Sequence, residues 1–115
     1  MTVLRDAHDA ITLHALDGRM LAWNPAAQRI YGWTEAEALQ MNLLDRVPPY
    51  LRADVLESLV QLSLAQTLAP YCSQRLAKDG SVLEVWITAT ALRNEAAAVY
   101  AVATTERLIQ GGSDV

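Results

Sequence analysis

The chain has 115 residues, 52% of them hydrophobic and 19% charged, which suits one compact domain and excludes intrinsic disorder. Nine basic against thirteen acidic residues leave a net charge of −4, with the basic residues scattered singly, so direct nucleic-acid binding is not expected. The single cysteine, Cys72, excludes an internal disulfide and a multi-cysteine zinc knuckle, and no run approaches the roughly eighteen apolar residues of a membrane span.

In chain order, AITLHALDG alternates Ile11, Leu13 and Ala15 against Thr12, His14 and Leu16, the period of two of a half-buried strand. Asp17-Gly18 supplies the turn and RMLAW the returning strand, so the chain opens on a hairpin. Asn24 caps a helix whose first residue is Pro25, which has no amide to leave unpaired; PAAQRIY continues it and Gly32 stops it. Thr34 with Glu37 has the spacing of a capping box and starts a second short helix, TEAEAL. Pro48 and Pro49 force a loop, after which Leu51, Val55, Leu59 and Leu62 recur at helical spacing, predicting an amphipathic helix from Leu51 to about Gln66. Beyond Pro70 the pattern turns to strands: YCSQRLA, a second Asp-Gly turn at Asp79-Gly80, SVLEVWITATAL, a loop at RNEAA, and AVYAVATTERLI. The likeness of ALDGRMLAW to AKDGSVLEVW needs only similar turn chemistry. Hairpin-linked strands around one block of helices predict an α+β fold, an antiparallel sheet with helices on one face. A hotdog or cystatin-like fold would need one long central helix, and the short capped helices from Pro25 to Leu39 argue against it.

In this order and spacing the segments resemble a PAS domain. DAITLHALDGRMLAWNPAAQRIYGW is similar to that family's opening hairpin and Asn-Pro helix, GWTEAEALQMN to its next helix, and LAKDGSVLEVWITATAL with VYAVATTERLI to its closing strands. The resemblance implies a five-stranded antiparallel sheet whose helices enclose a small cavity, with the sensor domain at residues 9–109, an N-terminal cap segment at 1–8 and a flexible tail at 110–115. It further implies an input module for an effector in the same parent chain: a histidine kinase, chemotaxis enzyme, cyclase or transcription regulator. The close, ATTERLI, differs from the family's usual Asp-Ile-Thr ending, with Leu108 in the aspartate's place.

Within that fold, parity points Val85, Ile87 and Ala89 toward the cavity, with Leu43, Val102 and Thr104 as further lining candidates. Tyr71, Ser73 and Arg75 share a strand face that borders the cavity in the family, where Ser73 and Arg75 either anchor a polar or anionic ligand group or Arg75 reaches the rim and pairs with a surface carboxylate. Trp86 and Thr88 fall on the opposite face, near an outward His14; with Leu4, Ala101 and Ala103 they are the candidate homodimer interface, unless the N-terminal segment covers Trp86 within the monomer. Cys72 is expected to be a buried, inert thiol.

No cofactor is expected. Leu43 stands where flavin-binding light sensors of the family carry a reactive cysteine, Val85 where they bond the flavin ring, and the long helix has no axial histidine for haem. His8 and His14 have no partner ligands at metal-binding spacing, so no metal is expected. Without a nucleophile elbow, phosphate loop or zinc-protease motif the chain is not expected to be an enzyme. The start MTVLRDAHD lacks an export signal's basic-then-apolar layout, and a cytoplasmic domain without membrane contact is expected. Two functions stay open: a sensor of a small, mainly apolar or aromatic ligand, and a ligand-free dimerisation and relay scaffold with a filled core.

Overall fold

A computed structural model describes residues 9–109; the expected cap segment at 1–8, with Leu4, and the tail at 110–115 lie outside the described residues. Strands β1 (Ala10–Ala15) and β2 (Met20–Trp23) precede helices α1 (Pro25–Tyr31) and α2 (Glu35–Ala38), two 3-10 turns (Leu43–Arg46 and Pro49–Leu51) and helix α3 (Arg52–Ser63). Strands β3 (Tyr71–Leu76), β4 (Val82–Arg93) and β5 (Val99–Leu108) complete the chain. The five strands form one sheet in the order β2-β1-β5-β4-β3, with every pairing antiparallel. The last strand therefore lies at the centre, between the first and the fourth.

Both Asp-Gly turns are built alike. In the first, the Gly18 N–H donates to the Ala15 carbonyl and the Ala15 N–H to the Arg19 carbonyl, each at 2.9 Å; in the second, Gly80 donates to Ala77 at 3.0 Å and Ala77 to Ser81 at 2.9 Å. Asp17 and Asp79 each accept from the backbone amide two residues on, at 3.0 and 2.9 Å. The glycines sit at φ +91° and +90°, where a Cβ is strained. Gly18 is constrained twice, because a Cβ there would also collide with the Asn42 side chain. Asn42 Nδ2 donates to the Asp17 carbonyl at 2.9 Å and the Leu43 N–H to the Gly18 carbonyl at 2.6 Å, fastening the first hairpin to the loop after α2.

The helices cover one face of the sheet. Val85 and Ile87 pack with Met20, Trp23, Ala27, Tyr31, Leu43 and Val47 in the main core, while Leu59 and Leu62 of α3 seat on Val102 in a smaller one. The buried residues of α3 are Val55, Leu59 and Leu62, as the spacing predicts, but the helix ends at Ser63 rather than near Gln66, and its other side is only partly polar: Leu56 and Val60 are exposed there, as is Leu64 at the C-cap.

Two expectations are corrected. On β1 the buried residues are Ala10, Thr12 and His14, and Ile11, Leu13 and Ala15 are only partly covered, so His14 faces the helices and leaves the candidate dimer surface. The polar residues face inward because Thr12 lies opposite Thr104 of β5 and hydrogen-bonds to it, inside a polar cluster that needs donors. Cys72 is exposed, since Tyr71, Ser73 and Arg75 take the inward parity of β3.

Asn24 joins three segments. Its Oδ1 accepts from Ala27 N–H at 2.9 Å, capping α1, and from Ile11 N–H at 3.0 Å, while its Nδ2 donates to the Asp9 carbonyl at 3.1 Å. Asn24→Ala thus removes a cap and two tertiary bonds, and is expected to lower unfolding free energy by about 2 kcal/mol in urea titrations, more than an isolated cap is worth.

Candidate ligand cavity and its buried charge cluster

Glu106, on β5, is 1% exposed, and Arg46, at the end of the first 3-10 turn, is fully buried. Arg46 Nη2 donates to Glu106 Oε1 at 2.8 Å, and the Tyr31 hydroxyl donates to the same oxygen at 2.6 Å. Thr104 Oγ1 donates to Glu106 Oε2 at 2.8 Å, which leaves its oxygen to accept from Thr12. The guanidinium carbon of Arg46 lies 4.8 Å from the ring centroids of both Trp23 and Tyr31. Those π faces compensate for Nε and Nη1, which have no hydrogen-bond partner. Trp23 is held in turn by its indole N–H, which donates to the Trp33 carbonyl at 2.8 Å.

The electrostatics follow from this packing. Burial pushes the Glu106 carboxyl upward, but Arg46 and Arg75, with the bonds from Tyr31 and Thr104, outweigh it and hold its pKa at about 2. Burial pushes the His14 imidazole down to about 4, with Glu106 opposing and Arg46 and Arg75 assisting, so it is neutral at pH 7. Burial also raises the Tyr31 hydroxyl, with the neighbouring carboxylate adding to the effect, and it remains a donor.

Beside this cluster, between the sheet and α3, lies a cavity of about 20 Å³, room for a water or two. Its apolar wall is Leu43, Val55, Leu59, Leu62, Ala89 and Val102; its polar wall is His14, Ser58, Tyr71, Arg75, Thr104 and Glu106. A cleft of about 150 Å³ between α3 and β3 shares Val55, Ser58 and Tyr71 with the cavity and adds Leu51, Asp54, Cys72 and Ser73. Of the lining candidates, the structure brings Leu43, Tyr71, Arg75, Ala89, Val102 and Thr104 to the cavity. Ser73 lies in the cleft, and Val85 and Ile87, fully buried, belong to the main core instead. Arg75, 3% exposed, donates through Nη1 to Ser73 Oγ at 2.9 Å and the Gln74 carbonyl at 2.8 Å, so it does not reach a surface carboxylate.

Glu106, Arg46, Tyr31 and Thr12 were not candidates on sequence. The signal for Glu106 was present: it has the parity of Val102 and Thr104, which places a carboxylate on the helix-facing side. On the outer face Trp86 is 43% exposed and pairs with Arg107; Thr88 is exposed beside it, Ala103 is partly covered and Ala101 has no exposed surface.

Both shifted groups make the fold acid-sensitive, in different windows. His14 has a lower pKa folded than unfolded, so protonation favours the unfolded chain and stability falls as pH drops from about 6.5 to 4, by on the order of 3 kcal/mol. Glu106 contributes stability above about 4.5 that is lost as pH falls toward 2. Urea titrations at pH 7 and pH 5 are expected to show the first loss in the natural chain and a flat profile in His14→Gln. Glu106→Gln, which leaves Arg46 buried without its counter-charge, is expected to cost about 3 to 5 kcal/mol at pH 7.

Comparison with solved structures places this geometry among PAS domains. A PAS domain from Colwellia psychrerythraea superposes with a TM-score of 0.87 at 17% identity, over 95% of this chain and 92% of that one. A PAS domain of an HTR-like protein from Haloarcula marismortui gives 0.78 at 19% identity, over 93% and 86%. A domain of a sensory box sensor histidine kinase/response regulator from Geobacter sulfurreducens gives 0.75 at 19% identity, over 91% and 87%. No curated protein matches the chain. The model of the PAS fold family matches residues 2–106, nearly the whole length, and the chain belongs to that family.

Proposed function

We propose that the domain is the sensory input module of a larger signalling protein, with the cavity between α3 and the sheet as the place where a small ligand is read. Family membership supports a sensory signalling module, and similar domains from sensor histidine kinases fit an effector in the same parent chain. Among the described residues no helix is long and apolar enough to cross a membrane.

The observation that carries the ligand reading is the unequal support of α3. Its first turn is tied down by Arg52 Nε, which donates to the Leu44 and Val47 carbonyls at 3.2 Å. Its middle and end rest on two buried leucines seated on Val102 and a few partly buried neighbours. A molecule that fills the cavity bears on Leu59 and Leu62 and lifts that half of the helix while the first turn stays anchored, converting occupancy into a change of helix angle. The reading needs no catalytic group and no cofactor. It is tested by native mass spectrometry of the chain purified without denaturant: a mass above that of the bare polypeptide is expected, and Ala89→Val, which takes up the space of a water or two at this wall, is expected to lose it. The bare mass in both proteins overturns the reading.

The outer sheet face supports a second role, dimerisation. A large indole that is 43% exposed, with the exposed Thr88 beside it on the outer face, makes a shallow surface suited to a second copy; Ala101, which has no exposed surface, takes no part in it. Light scattering after size exclusion is expected to give a dimer mass for the natural chain and a monomer mass for Trp86→Glu; a monomer for both removes this role.

A further inference from the structure

We propose that the cavity is a site for a small organic monocarboxylate, held at its polar wall by Arg75 and His14. The inference rests on the ligand-sensing reading and names the class of ligand. Three ionised side chains are buried here: Arg46, fully; Glu106, 1% exposed; and Arg75, 3% exposed. His14, 3% exposed, is neutral and adds no charge. Two positive groups and one negative leave one uncompensated positive charge in a low-dielectric interior, where a charge without a partner is costly.

The excess belongs to Arg75. Glu106 is also on the cavity wall, but one of its oxygens accepts from Arg46 and Tyr31 and the other from Thr104, so its charge is matched within the cluster. The acceptors of Arg75 are a hydroxyl and a carbonyl, both neutral, and its Nε has no partner. Nδ1 of His14, on the same wall, has none either. The wall thus holds two buried nitrogens without partners, and the excess charge of +1 in the cluster falls on Arg75, whose hydrogen-bond acceptors are all neutral. A planar carboxylate supplies one negative charge and two acceptor oxygens: one meets the guanidinium edge of Arg75, and the other selects the His14 tautomer protonated at Nδ1 and accepts from it. A phosphate dianion would overshoot the charge. Val55, on the walls of both the cavity and the cleft, and Leu51 beside it in the cleft are suited to a short alkyl or aryl tail, for which the cleft between α3 and β3 provides the added room.

The test is titration of the natural chain at pH 7 and constant ionic strength with propionate, butyrate and benzoate, each against its amide, followed by ¹H–¹⁵N NMR including the side-chain signals of His14 and Arg75. Sodium chloride is the control for any anion. The expected result is saturable shifts at both side chains, at least tenfold tighter for an acid than for its amide, with no saturable response to chloride. Arg75→Gln is expected to reduce acid affinity at least tenfold and leave that for the amide unchanged; the acid–amide comparison in the natural chain decides the matter even where this variant does not fold. Equal binding of acids and amides at the cavity overturns the carboxylate assignment and leaves the sensor reading standing. Chloride reproducing the acid response, or acid shifts confined to residues outside the cavity, overturns the assignment as well. No cavity response to either series overturns it, and with a bare native mass the sensor reading falls too.

Discussion

A carboxylate with almost no exposure to water is the constraint around which this domain is assembled. Glu106 keeps its charge because Arg46, Tyr31 and Thr104 stand within 2.8 Å of its oxygens and the Arg75 guanidinium adds its field; the three residues in contact come from a 3-10 turn, the end of α1 and the central strand. Thr12 extends the cluster to β1, and Trp23, stacked on Arg46, extends it to β2. A buried ion pair is weak evidence for stability, because desolvating two charges offsets much of their attraction. Its effect here is on specificity: an arrangement that separated α1, the Arg46 turn and β5 would strand a charge in an apolar interior.

The same cluster explains why the cavity is chemically lopsided. Glu106 is matched by Arg46, and the second guanidinium, from β3, is left with neutral acceptors. A fully apolar core would have had no preference among guests beyond shape. This one places a charge and two unused nitrogens on the sheet side, facing the leucines of α3, so a guest must be two-ended to satisfy both walls. Because α3 is anchored at one end and rests on few side chains at the other, the guest's apolar end also bears on the most displaceable element of the fold.

Much of the architecture was legible because local chemistry and tertiary structure agree. The cap at Asn24, the capping box at Thr34 and Glu37 and the two Asp-Gly turns all appear where turn and cap rules put them. Alternation sorted the faces of β3 and β4, the family resemblance said which face borders the cavity, and Tyr71, Arg75 and Ala89 lie on it. The reading failed on β1, where hydrophobic alternation chose Ile11 and Leu13 as the buried set while Thr12 and His14 turned inward. Alternation assumes that polar side chains seek water. Thr12 instead found Thr104, and behind it a carboxylate, a partner 94 residues away in sequence that no local window contains. Arg46 was hidden for the same reason, as one charge in a loop between Asp45 and Val47. The 3-10 turn at Pro49–Leu51 was missed because the pair of prolines reads only as a helix breaker, although Pro49 is well placed to begin one, and the signal for the turn at Leu43–Arg46 was the capping-box spacing of Asn42 and Asp45.

The position of β5 has a consequence for how the domain is born. The ribbon in the middle of the platform is the last of the five in chain order, and its nearest neighbour on one side is the first. Until Glu106 emerges, β1 and β4 have no shared edge to close upon and Arg46 has no counter-ion, so the nascent polypeptide holds a half-built structure with a charge it must keep hydrated. Closure of the sheet therefore waits until β5 is available, and it is stitched by contacts of long sequence separation.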